Sequence, residues 1–424
     1  MTRTTLWRTT RHHARLTLLS TLCAAGTGLS SQHAKKPEPP KPAGSTQIIT
    51  HVARPERRDA TQSLINSLEL PDGFRATVFA DGLKGARMMA VGPDGSIYLT
   101  RREAGEVVRL RDHDGDGHAE EREVMASGLK HVHGITIYDG ELYVATVKEV
   151  MRAPLAPGKG KPDWETLIDD LPDGGQHPNR TLAFGPDGQL YITVGSTCNA
   201  CPEPNPECAT LLVAKPDGSQ RRIFAKGLRN TIGFGWHPET GELWGADHGI
   251  DFLGDDIPPE ELNLLKDGKD YGWPYSWGNK HVNPAVQDPP NGTKEAHAAA
   301  SEPPMLEFTA HSAPIAMVFC GTTADNTTRG PAAPLGFPAD CRGDAFVAMH
   351  GSWNRTPPDG YEVLRIRFEG GKPVKSEPFL SGFLTENGKA QFGRPAGLVF
   401  AADGSLLVSD DENGVVYRVS HEGR

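Results

Sequence analysis

The segment Asp112-His113-Asp114-Gly115-Asp116-Gly117, with Glu123 six residues beyond it, sets three carboxylates on alternate residues and a fourth further along. A calcium ion takes about six to eight hard oxygen ligands, which alternating aspartates closed by a distal glutamate supply. The spacing predicts a structural Ca2+ held by Asp112, Asp114, Asp116 and Glu123, with a solvated acidic hairpin as the plainer alternative. The flanks Val107-Val108-Arg109-Leu110 and Glu123-Val124-Met125 read as strands, which sets this loop apart from a helix–loop–helix sensor. A second group is spread more widely: His177-Pro178-Asn179-Arg180, Gly227-Leu228-Arg229-Asn230, Asp247-His248-Gly249-Ile250-Asp251 and Tyr271-Gly272-Trp273-Pro274. Taken singly, each His or Arg is more often structural. Gathered into one pocket, a His, an Arg and an Asn offer a base and donors for developing negative charge.

Such residues meet only if the chain brings distant segments to one place, and a repeat in the sequence does this. A short apolar strand, a glycine turn and a second strand recur six times, with turn glycines Gly95, Gly140, Gly188, Gly241, Gly343 and Gly404. Runs such as Ser96-Ile97-Tyr98-Leu99 alternate with period two, as strands do. Repeats of this kind suit radially packed four-stranded sheets. The expected fold is all-β, a six-bladed β-propeller over residues 61–424, in which strand ends of successive blades converge on one face.

The 424 residues include 48 Gly and 35 Pro, which fits many turns and short strands. A net charge of -10 attracts no polyanion, so nucleic acid is not expected as a partner. Arg3, Arg8, Arg11 and Arg15 precede the apolar run Leu16 to Ala25 and the small residues Ala24, Ala25 and Gly26. This pattern predicts an export signal over 1–26 and a periplasmic or secreted protein, without a membrane span. No adjacent arginine pair precedes the run, and Leu22 stands before Cys23 where a lipidation signal prefers a small residue. Residues 27–60, rich in Pro, Lys, Ser and Thr, read as a disordered linker. Export into an oxidising compartment makes disulfides expected: one among Cys198, Cys201 and Cys208, and a second between Cys320 and Cys341. Cys198-Asn199-Ala200-Cys201 is not followed by His, so it is no haem attachment motif.

The stretches His177 to Gly185, Gly227 to Asn230, Asp247 to Asn263, Tyr271 to Pro274 and Gly393-Arg394-Pro395 resemble the soluble pyrroloquinoline quinone (PQQ)-dependent sugar dehydrogenases, the sorbosone dehydrogenase-like branch in particular. The resemblance spans roughly residues 65–424. It implies oxidation of a small-molecule sugar or polyol, with PQQ and Ca2+ as cofactors and a separate electron acceptor. It implies that His177 is the general base and that Arg229 supports developing charge. Arg229, Asn230 and Arg394 would lie at the quinone, and the carbonyls of Gly249 and Ile250 would bind the cofactor Ca2+. The glucose-type enzymes carry a Lys where this chain has His350-Gly351-Ser352-Trp353-Asn354-Arg355, so Arg355 is taken as its substitute. Ile250 stands where the family has a Pro, which leaves a carbonyl ligand unaffected. Two other readings use the same fold: a calcium-dependent sugar lactonase and a propeller binding module without catalysis.

Overall fold

A computed structural model describes residues 48–155, 162–321 and 336–422. The expected export signal and Cys23 lie outside the described residues. Within them the chain is all-β, with two short α-helices, Gln62–Ile65 and Lys294–Ala300. Six four-stranded sheets follow one another along the sequence. Sheet I comprises Ala86–Val91, Ile97–Arg101, Glu106–Arg111 and Glu121–Ala126. Sheet II comprises Gly134–Tyr138, Glu141–Ala145, Val150–Pro154 and Glu165–Ile168, and sheet III Leu182–Phe184, Leu190–Val194, Thr210–Ala214 and Arg222–Lys226. Sheet IV is built from Gly233–Trp236, Leu243–Asp247, Glu260–Leu265 and Leu306–Phe308, and sheet V from Pro314–Phe319, Ala345–Met349, Glu362–Glu369 and Lys372–Leu380. Sheet VI joins Pro395–Phe400, Leu406–Asp410 and Val415–His421 to Phe74–Ala80 from the start of the domain. The pairing Phe74↔His421 through Ala80↔Val416 ties the two ends of the domain together.

The first strands of all six sheets surround one small cavity of about 90 Å³. Both faces of a sheet are packed, which explains why strands such as Leu190–Val194 are apolar throughout. Leu190, Ile192 and Val194 join a cluster with Tyr143 and Ala145 of sheet II. Tyr191, pointing the other way, joins Leu211, Val213, Phe234 and Trp236 between sheets III and IV. This is the period-two geometry of a strand buried on two sides. Complete burial of one such side chain contributes roughly 1.5–3 kcal/mol before entropy is counted.

Each of the six turn glycines joins the first and second strands of a different sheet. Gly95, Gly188 and Gly404 have φ of 80°, 73° and 82°, a region in which a Cβ is strained. Beside them Asp94, Asp187 and Asp403 accept a hydrogen bond from the backbone N–H two residues on, at 3.1, 3.1 and 2.9 Å. The turns are thus held by side chain and backbone together.

The linker reading fails for residues 48–60. Glu56–Arg57 forms a parallel pair with Ala390–Gln391, the Ala53 N–H donates to the Trp353 carbonyl at 3.0 Å, and Arg58 pairs with Glu386 at 3.0 Å. Composition carries no sign of the sheet edge and the carboxylate that receive this segment, because both come from residues 386–391. The disulfide Cys198–Cys201 is present, whereas Cys208, Cys320 and Cys341 are buried thiols, so the expected second bridge is not formed. Among the described residues no helix is long and apolar enough to cross a membrane.

Gly397 marks a close approach of sheets I and VI: a Cβ there would stand 2.1 Å from the Arg87 carbonyl oxygen and 2.9 Å from Ser409 Oγ. Gly397→Ala is therefore expected to cost about 1–3 kcal/mol of stability by overpacking. Urea denaturation checks this, and an unchanged midpoint would contradict it.

Candidate active site and metal loop

Antiparallel pairing puts the start of each first strand and the end of each second strand at the same end of its sheet. The residues with chemistry cluster at that end. Arg87, His133, His177, Arg229, Asn230 and Arg394 open or precede first strands; Ser196, His248, His350 and Asp411 follow second strands.

His177 is half-buried. Its Nδ1 lies 3.0 Å from the Ser196 carbonyl oxygen and 2.8 Å from Ser196 Oγ. A carbonyl only accepts, and Ser196 Oγ donates its own hydrogen to the Cys198 carbonyl at 2.7 Å. Nδ1 therefore carries the proton, and the lone pair is on Nε2. Burial first, then the positive charge of Arg229, pushes the His177 pKa down to about 2 from 6.5, so the ring is neutral at neutral pH. His248 follows the same logic. Its Nδ1 donates to the Asn230 carbonyl at 2.8 Å, and burial, then Arg229, lowers its pKa to about 3.

Asp247, the last residue of its strand, fixes the Gly-Leu-Arg-Asn turn. Its carboxylate accepts from the N–H of Arg229 at 2.9 Å, the N–H of Asn230 at 2.8 Å and the Thr231 hydroxyl at 2.8 Å. The Arg229 guanidinium is buried: Nη2 donates to Asp251 Oδ2 at 2.8 Å and to Asn199 Oδ1 at 2.9 Å, and Nε to the Asn199 carbonyl at 3.0 Å. Gly249 and Ile250 lie between His248 and Asp251. The Gly249 N–H donates to Glu260 Oε2 at 2.5 Å, and among the described residues neither the Gly249 nor the Ile250 carbonyl accepts a hydrogen bond. Those open carbonyls fit a hard cation.

Across the same face, Asp411 pairs with Arg87 at 2.5 Å and with His350 Nε2 at 2.9 Å. Burial pushes the Asp411 carboxyl up, but the charges of His350 and Arg87 outweigh it and hold the group well below its ordinary value. Arg394 donates from Nε to the His350 carbonyl and from Nη2 to the Gly351 carbonyl, both at 3.0 Å. Its guanidinium has no carboxylate partner among the described residues, and the buried Nε of Arg87 makes no hydrogen bond among them. Arginines with spare donors, set among histidines kept neutral, suit an anionic planar ligand. PQQ, a tricarboxylate quinone, is of that chemistry, and the residues present fit it.

His177, Arg229, Asn230 and Gly249–Ile250 are thus brought together, and Arg394 joins them through His350. Arg355 is not part of the group. It is tied to Asp256 at 3.0 Å, Asp359 at 3.3 Å and the Asp255 carbonyl at 3.3 Å, because the acidic run Asp255-Asp256 lies across from it. Sequence reasoning passed over Arg87, Asn199 and Asp411. A signal was present: Asp411 follows the second strand of its repeat just as His248 follows that of the fourth.

The candidate metal loop differs from the expected ligand set at one residue. Oxygens of Asp112, Asp114, Asp116 and Glu120 lie within 4.8 Å of one another. Glu123 stands opposite Arg109 in the strand register and pairs with it, turned away from the loop. The tight turn holds its own shape: Gly115 and Gly117 donate N–H bonds to Asp112 at 2.7 and 2.8 Å.

A family model described as TrAA12-like matches residues 68–422. The chain belongs to the TrAA12-like family. Among similar proteins, an uncharacterized protein of Borreliella burgdorferi is 28% identical over 86% of this chain and 93% of its own. A protein of Hypocrea jecorina named pyrroloquinoline quinone-dependent sugar dehydrogenase is 22% identical over 82% of this chain and 87% of its own. The solved holo form of the pyranose dehydrogenase PQQ domain from Coprinopsis cinerea superposes with a TM-score of 0.69 at 21% identity, over 88% of this chain and 100% of that one. At that identity the likeness concerns the fold.

The metal loop generates a test. Added Ca2+ is expected to raise the Tm of the wild type and of Glu123→Gln, and to have at most half that effect on Glu120→Gln. Equal shifts in the two variants would contradict the ligand set.

Proposed function

We propose that this protein is a PQQ- and Ca2+-dependent dehydrogenase that oxidises a sugar, sugar aldehyde or polyol of the aldose or sorbosone kind and passes the electrons to a separate acceptor. On this reading the six sheets are the blades of a six-bladed β-propeller occupying residues 61–424, with the cavity among the first strands on its axis. Export after removal of residues 1–26 would put it in the periplasm or outside the cell. The observation that carries the proposal is His177, neutral and with Nε2 open, beside arginines suited to an anionic quinone. Membership of the TrAA12-like family and relatives named as PQQ-dependent sugar dehydrogenases support it.

When bound, PQQ supplies a quinone that accepts hydride, and Ca2+ supplies Lewis acidity. Arg229, Asn230, Arg394 and Arg87 are the residues that would hold the quinone, and the Gly249 and Ile250 carbonyls would hold its Ca2+. A second Ca2+ in the Asp112 loop would brace a hairpin of sheet I. The chain's own contribution to the chemistry is a proton transfer. His177 Nε2 takes the proton of the substrate hydroxyl while hydrogen leaves the carbon. The Nδ1–H stays bonded to Ser196, so the ring cannot turn away. Burial and Arg229 disfavour the imidazolium, which then returns its proton readily to solvent.

His177→Ala is expected to lower kcat by about 10²–10⁴-fold, the usual loss for a positioned base. PQQ and Ca2+ should still bind, since their ligands are other residues. Dye reduction by the reconstituted enzyme, with quinone content read by absorbance, checks this; more than half the wild-type rate would remove His177 from the role. The pH profile gives a second check. Only the neutral ring accepts a proton, and its lowered pKa keeps it neutral to lower pH. The acid limb of kcat/KM is therefore expected well below 6.5, and a limb at 6.5, the ordinary imidazole value, would contradict the buried base.

A further inference from the structure

The loop after the second strand of sheet III touches both halves of the candidate site. Its residues 196–201 hold His177 and Arg229 by different atoms. Ser196 accepts from His177 Nδ1 and donates to the Cys198 carbonyl at 2.7 Å, and its own N–H donates to the Arg229 carbonyl at 2.8 Å. Asn199 makes five bonds. Its carbonyl accepts from Arg229 Nε at 3.0 Å and Trp273 Nε1 at 3.1 Å. Its Oδ1 accepts from Arg229 Nη2 at 2.9 Å and the Asp251 N–H at 2.8 Å, and its Nδ2 donates to the Asp251 carbonyl at 3.0 Å.

These bonds require the Cys198 and Asn199 peptides to face fixed directions, yet neither residue belongs to a strand. The disulfide between Cys198 and Cys201 closes the chain around Asn199. A closed ring of four residues leaves those peptides few alternatives, whereas the open chain has many. Cys198 and Cys201 are both half-buried and within reach of a small reductant, while the three remaining described cysteines are buried thiols.

We propose that the Cys198–Cys201 disulfide and the Asn199 it encloses are positioning elements of the active site, holding Arg229 directly and His177 through Ser196, so that reduction of the bond disarms the site without unfolding the protein. The functional part of this rests on the dehydrogenase reading above; the structural part does not. A dithiol reductant gives up two electrons and two protons, closes to its own cyclic disulfide, and leaves Cys198 and Cys201 as thiols. Oxidised glutathione reverses the change, taking the electrons and protons and leaving as two thiols.

The test treats the folded full chain with dithiothreitol and follows two readouts. The first is hydrogen exchange of the Trp273 indole N–H in the apo protein by NMR, its signal assigned with Trp273→Phe. Exchange is expected to quicken at least about ten-fold on reduction, as local opening becomes easier, and to recover on reoxidation. The second is turnover of the reconstituted enzyme. With the reacting groups displaced, kcat is expected to fall by about ten- to a hundred-fold, with KM changed less than two-fold and full recovery with oxidised glutathione. Asn199→Ala should reproduce both effects with the disulfide intact, and Cys198→Ser/Cys201→Ser should reproduce them without reductant. Unchanged indole exchange in the reduced protein would overturn the proposal. So would a loss confined to Tm with kcat intact, the mark of a general brace. If no sugar is turned over in either state but exchange responds to reduction, the dehydrogenase reading fails while the positioning role stands.

Discussion

A buried arginine needs an anion and a full set of acceptors, and the way Arg229 is provided for organises the rest of the site. Asp251 supplies the charge, Asn199 supplies two oxygens, and Asp247 fixes the backbone from beneath. Removing one partner of such a buried pair costs about 3–5 kcal/mol, so the turns that carry these residues have little freedom to drift. Asp247 and Asp251 lie at and just beyond the end of the second strand of sheet IV, and Asn199 just beyond that of sheet III. Precise stacking of those sheets, through Tyr191, Phe234 and Trp236, is therefore a condition for the charge network.

The network has a consequence for acid–base behaviour. Burial beside arginines disfavours further positive charge, and the nearby histidines respond by staying neutral. His177 and His248 are held down chiefly by burial and then by Arg229, and His350 by burial and then by Arg394, to about 4. An anionic ligand would relieve the charge but not the burial. The base would stay neutral with such a ligand in place, which is the state in which it accepts a proton.

Much of this was legible in the sequence, and the parts that were not have physical reasons. The glycine turns announced six sheets because a positive φ is a local requirement, met by glycine at all six turns and reinforced at Gly95, Gly188 and Gly404 by an Asp that caps its own turn. His177, Arg229 and Asn230 were legible through the motifs they sit in. The fourth carboxylate of the acidic cluster was not: Glu123 has the expected spacing, but strand register sets it against Arg109, and Glu120 is the one that lies with Asp112, Asp114 and Asp116. The pairing of Arg355 away from the arginine and histidine group was also not legible. Its carboxylate partners are Asp359, four residues on, and Asp256, about a hundred residues away in sequence; the spacing to the first is local, and nothing local reveals the second. Asn199 was read only as a spacer between two cysteines, although its side chain and carbonyl together make five bonds in the site.

Association of PQQ itself with the arginine cup is the most direct measure of the central claim. Calorimetric titration of the purified protein with PQQ in the presence of Ca2+ is predicted to show saturable binding at one quinone per chain. Arg229→Met combined with Arg394→Met is predicted to weaken it by at least about a hundred-fold, as loss of charge-assisted contacts to carboxylates implies. No saturable heat in the wild type, or equal affinity in the double variant, would contradict the account.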